Sequence, residues 1–154
     1  MIAKAGFISS TKDRVPDHTD VCVNAQIRAQ TERNIARYMG AGEAAISQRL
    51  RELDEEWDIE RTLEANASTA VLIGVTLGAL KHRNFFVLPA LVAGFLLQHA
   101  VQGWCPPMPI LRRLGFRTAN EIDYERYALK AFRGDFQGIP ETVSSRTALA
   151  AAER

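Results

Sequence analysis

Three groups of residues in this chain have side chains suited to chemistry. The first is Cys105, set in Gly103-Trp104-Cys105-Pro106-Pro107. A thiol acts as a nucleophile only as the thiolate, so it needs a depressed pKa. The end of a helix is the wrong pole of its dipole for that purpose, although Arg112 and Arg113 downstream supply positive charge. Cys105 therefore has two readings, a reactive thiol that accepts sulfur or meets a redox partner, and a packing residue. The second candidate is His99, an ionisable group inside an apolar run, which is a functional hypothesis by default in a membrane span. As a haem ligand it would need a second axial residue or a second copy of the chain, and otherwise it hydrogen-bonds a neighbouring helix. The third group is Asp17, His18, Asp20 and Cys22, whose atoms can bind metals but whose spacing matches no ligand pattern, so a loop is the simpler reading. No cofactor and no metal is expected. Neither Cys22 nor Cys105 belongs to a CxxC pair, and a reducing compartment fits them best. No Ser-His-Asp set, apolar carboxylate pair or glycine-rich phosphate loop competes with Cys105.

The elements that must hold these residues are set by where charge is missing. The chain has 154 residues, room for one structural unit with tails, and its formal charge of +1 suggests neither a basic nucleic-acid binder nor an acidic disordered segment, so no nucleic-acid partner is expected. Mean hydropathy is -0.12, the value of a soluble protein. Yet none of the 19 Lys and Arg or the 18 Asp and Glu falls in residues 65–80 or 84–104. Both runs are apolar or small on every side, as in a buried or lipid-bound helix. Residues 84–104 cover about 31 Å as a helix, enough for the hydrocarbon layer, and residues 65–80 about 24 Å, which is short unless Thr62 and Leu63 join. Only Lys81, His82 and Arg83 separate the runs, so they predict an antiparallel transmembrane hairpin.

Small residues recur at helix-packing spacing, Ala70, Gly74 and Gly78 on the first span and Ala90 with Gly94 on the second. In lipid such stripes let backbones approach closely, and one hairpin uses only part of them, which predicts a homodimer or another membrane protein as partner. Flanking charge sets orientation. Lys81 and Arg83 mark the tip, against Arg49, Arg51, Arg61, Arg112, Arg113 and Arg117 on the other side, so both termini are predicted cytoplasmic. Trp57 and Trp104 lie on that same side, where an interfacial aromatic belt places them, with Arg112 and Arg113 at the headgroups.

Outside the hairpin, residues 1–30 read as a loosely ordered lead-in without a secretory apolar run. Residues 31–64 read as amphipathic helices. One runs from Thr31, as cap, to Gly40-Ala41-Gly42, and one spans 43–64 with Ile46, Leu50, Leu53 and Trp57 on a face. Pro106, Pro107 and Pro109 end the second span. Thr118 and Glu121 form a capping-box pattern for a helix with Ile122, Arg126 and Leu129 on one face, inside a 105–136 exit segment, and 137–154 reads as a mobile tail.

The elements Gly103, Trp104, Cys105 and Pro106, then Leu114, Gly115 and Thr118, resemble the YgaP-like transmembrane domain family. Asn34, Arg37 and Gly40 are similar to that family's leading pattern, although the charged helix 43–64 stands between them and the first span. The resemblance implies a two-helix membrane hairpin without an assigned activity; fusions to rhodanese-like sulfurtransferase domains in the family suggest sulfur transfer for Cys105. The sequence thus predicts an all-α protein of the bacterial inner membrane, an interaction or accessory module without catalysis of its own. The alternatives are a sulfur-transfer component acting through Cys105 and a soluble helical bundle.

Overall fold

The computed structural model describes residues 10–137, and among them every regular element is a helix. The order is α1 (Arg14–Asp17), α2 (Val21–Arg37), α3 (Glu43–Glu55), α4 (Ile59–Leu80), a 3₁₀ turn (Arg83–Phe86), α5 (Val87–Gln102), α6 (Met108–Arg113) and α7 (Ala119–Arg133). They fall into two compact units. One holds the described residues up to Ile27 with Trp57–Asn120, and the other Arg28–Glu56 with the described residues from Glu121 onward.

The first unit is the hairpin and its base. Asp58 caps α4 by accepting the Arg61 backbone N–H at 2.6 Å, which satisfies one of the donors that a helix start leaves free. After Leu80 the chain reverses through Lys81 and His82, whose Nδ1 accepts from the Asn84 N–H at 3.2 Å. α4 and α5 then run antiparallel. Gly78 lies against Phe86, and Gly74, further from the tip, against Leu88 and Pro89. α4, and α5 taken with its 3₁₀ turn as Arg83–Gln102, are long and apolar enough to cross a membrane. At the base, Val15, Ile59, Leu63, Cys105 and Met108 form a buried cluster backed by Trp104, Leu111 and Phe116.

The second unit packs Ile46, Leu50 and Leu53 of α3 against Ile122 and Leu129 of α7, with Tyr38 and Ala41 beside them. Its charged centre is Glu125, fully buried, which accepts from Arg49 Nε at 2.8 Å and Asn34 Nδ2 at 3.1 Å. A buried carboxylate is tolerable only when charge and hydrogen bonds compensate its lost hydration, and these two partners supply both.

Several expectations change. Residues 14–30 are not a loosely ordered lead-in, because α1 and α2 occupy most of them; Asp20 starts α2 by accepting the Cys22 N–H at 2.8 Å. Thr31 consequently sits buried in the interior of α2 and not at a helix start. The helix read over 43–64 is two helices, since Glu56 turns extended and Asp58 caps a new start. The second span begins with a 3₁₀ turn, and α5 proper starts at Val87. The exit segment holds the extra short helix α6 before α7. The tail read over 137–154 lies, beyond Gln137, outside the described residues.

Candidate functional site

The residues with chemical potential converge at the base of the hairpin, where α5 ends. Gly103 stops α5 in the left-handed conformation, φ 80°, and its N–H donates to the His99 carbonyl at 2.7 Å. A side chain is doubly excluded at Gly103. Its φ disfavours one, and a Cβ there would overlap the Arg14 backbone carbonyl of α1. This close approach brings Arg14 over the helix end, where its Nη1 donates to the Ala100 carbonyl at 3.1 Å. The same guanidinium stands 3.6 Å from the Glu60 carboxylate in the first turn of α4. Burial pushes the Glu60 carboxyl up and nearby Asp58 adds to this, against the pull of Arg14.

His99 is buried beside Arg14, and neither ring nitrogen has a hydrogen-bond partner among the described residues. Arg14 Nε and Glu60 Oε2 are equally buried and equally unpaired. Buried polar atoms are nearly always satisfied, so four orphans on three neighbouring residues are unusual. Sequence reasoning singled out His99 but missed Arg14 and Glu60. Arg14 belonged to a segment without periodicity, and Glu60 looked like one more charge on a solvated helix face.

Cys105 lies two residues beyond Gly103 in the buried cluster, at 3% exposure. Burial pushes its thiol up, and the hydrogen bond with the Met108 backbone offsets this only in part. The position suits a packing residue better than a nucleophile. Cys22, by contrast, is exposed on α2.

The expected interfacial set divides. Arg113 is exposed, and so is Trp57, which carries the Arg61 guanidinium 4.4 Å from its ring centroid. Trp104 is partly buried in the base cluster. Arg112 does not face headgroups. At 1% exposure it is among the most buried side chains of the base, donating to Asn24 Oδ1 at 2.8 Å, the Phe116 carbonyl at 3.0 Å and Thr19 Oγ1 at 3.2 Å. Met108 and Arg112 share a face of α6 at i,i+4, and that periodicity with a buried methionine is the signal that could have turned Arg112 inward.

The small-residue stripe divides too. Gly74 and Gly78 are buried in the seam, where an added Cβ would stand 2.5 Å from Pro89 Cδ and 2.9 Å from the Phe86 ring. Ala70 borders an apolar cleft between α4 and α5. Ala90 and Gly94 are exposed, with nothing within 4 Å of a Cβ built at Gly94, so they are not in the seam. The reason is register: Pro89 and Leu88 take the place opposite Gly74 and turn Ala90 and Gly94 outward. Of the metal-capable group, His18 Nδ1 lies 3.0 Å from the Arg14 carbonyl and Asp20 caps α2. Among the described residues no three His, Cys, Asp or Glu come together as a metal site.

Comparison of the chain with protein-family models, with curated proteins and with solved structures gives no match.

Proposed function

We propose that this chain is a small integral protein of a bacterial inner membrane, a two-span hairpin with cytoplasmic termini that serves as an interaction or accessory module without catalysis of its own. One observation carries the reading. The most apolar stretches of the two long helices have only 11% and 6% of their residues buried inside the structure. The core helix of a soluble bundle would be mostly covered, whereas here Leu72, Ile73, Leu80, Val87, Leu91 and Leu97 stand open on the hairpin's outer sides. Exposed apolar surface on that scale marks a membrane or a protein partner. The flanking arginines and Arg61-stacked Trp57 support the orientation, and Ala90 with Gly94, left outside the seam, support a second copy or another membrane protein against α5. Membership of the YgaP-like transmembrane domain family belongs to the same proposal and rests on the Gly103 to Pro106 and Leu114 to Thr118 elements.

The test is flotation. Purified in mild detergent and reconstituted, the protein should rise with liposomes through a density gradient and resist alkaline carbonate. A monodisperse protein that stays soluble after detergent-free lysis would end the membrane reading in favour of the helical bundle.

A further inference from the structure

A cleft of about 420 Å³ lies between α4 and α5 at the base of the hairpin, within the ~300–1,000 Å³ range of small-molecule sites. Its walls are carbon: Leu63, Ala67 and Ala70 from α4, Val92 and Leu96 from α5, with Cys105 behind. Asn66, its one amide, already donates to the Thr62 carbonyl at 2.8 Å. His99 continues the α5 wall toward the base, since at 100° per residue it projects within about 20° of Val92. One turn beyond Leu96, His99 keeps both ring nitrogens buried and unpaired, and near it Arg14 Nε and Glu60 Oε2 are unpaired too, on two residues that line a separate cavity of about 250 Å³ with Asp58 and Thr118.

These groups select a head. Arg14 opposes a cation and Glu60 opposes an anion, while their opposite charges 3.6 Å apart cancel. A neutral group that accepts from the imidazole or guanidinium suits them, and the apolar cleft next to it suits a hydrocarbon chain. We propose that the cleft binds one neutral long-chain amphiphile with a carbonyl or hydroxyl head, its chain between Ala67 and Leu96 and its head hydrogen-bonded to His99. The inference rests on the membrane reading, because a bilayer is where such molecules are met.

The experiment titrates decylubiquinone into the full chain carrying Trp57→Phe, in liposome-reconstituted form. Trp104, packed against the Cys105 cluster, reports binding by quenching. Saturable quenching is expected. Ala67→Phe, which fills the cleft, should abolish it. His99→Leu should weaken it about tenfold, the worth of one good hydrogen bond, and His99→Gln should recover most of the loss. Monodecanoylglycerol carries the same neutral chemistry from a glyceride source. Competition by it assigns the site to neutral heads in general, and failure to compete assigns it to quinone-type carbonyls. Equal displacement by decyl phosphate, unsaturable quenching, or unchanged affinity in either His99→Leu or a folded Ala67→Phe would overturn the proposal. If Ala67→Phe fails to fold, the His99 pair decides alone. Flotation of the same liposomes is read in parallel: protein that floats without binding refutes this inference only, and protein that does not float refutes the membrane reading.

Discussion

The hairpin seam permits one substitution to be tested at two places with opposite expected signs. At Gly74 an alanine Cβ would stand 2.5 Å from Pro89 Cδ, 3.3 Å from its Cγ and 3.4 Å from Leu88 Cβ. The nearest of these distances is far inside van der Waals contact, and a proline ring has no rotamer that clears it. Overpacking of this kind costs about 1–3 kcal/mol, while replacing a helical glycine by alanine returns about 0.5–1 kcal/mol. Gly74→Ala should therefore destabilise the hairpin by about 1 kcal/mol, the middle of these ranges, a factor of roughly 5 in the folded-to-unfolded ratio. At Gly94 nothing stands within 4 Å of the new methyl, so Gly94→Ala should stabilise by about 0.5–1 kcal/mol. The assay is titration of the purified protein in mild micelles with sodium dodecyl sulfate, followed by Trp fluorescence. Two midpoints on opposite sides of the parent are expected. Equal shifts, or a loss at Gly94 larger than at Gly74, would refute the seam geometry. The same logic moves the dimer test to the exposed face: Gly94→Leu should abolish crosslinking between copies in membranes and leave the hairpin intact.

Other outcomes follow from the buried polar groups. Arg112→Lys gives up the fork that reaches Asn24, Thr19 and the Phe116 carbonyl together, and should cost about 2–3 kcal/mol in the same titration. Glu125→Ala removes the carboxylate that Arg49 and Asn34 share, while Arg49 keeps Glu52 and Glu56, and should cost about 1.5–3 kcal/mol, read as faster amide exchange in α3 and α7 while α4 and α5 stay protected. Iodoacetamide on the native protein should modify Cys22 and spare Cys105. Because burial raises the Cys105 pKa, the folded chain keeps a proton that the unfolded chain releases. Stability contributed there is complete below the ordinary thiol range and declines as pH rises through it, so the detergent midpoint should fall at alkaline pH.

What the sequence made legible was what needs only local information. Charge exclusion marked both apolar helices, and the i, i+4, i+7 spacing of Ile46, Leu50 and Leu53 marked the buried stripe of α3. That same spacing concealed the break after Glu55, because Trp57 continues the period while the Asp58 cap restarts the helix out of phase. α2 was hidden because its buried residues are few, Ile27 and Thr31, so it has little periodic signal. Which of Arg112 and Arg113 turns inward depends on Thr19 and Asn24, far away in the chain, and no local pattern carries that. The convergence of Arg14, Glu60 and His99 is of the same kind. It needs the α5 terminus at Gly103 and the backbone of α1 in contact, a tertiary fact.

The central claim is a hairpin whose tip crosses the bilayer and whose base stays inside. It is tested most directly by a membrane-impermeant maleimide applied to spheroplasts expressing His82→Cys, with the native Cys22 as internal reporter. The tip thiol should label in intact spheroplasts and Cys22 only after permeabilisation. Labelling of both only after permeabilisation, with the protein in the soluble fraction, would contradict the account.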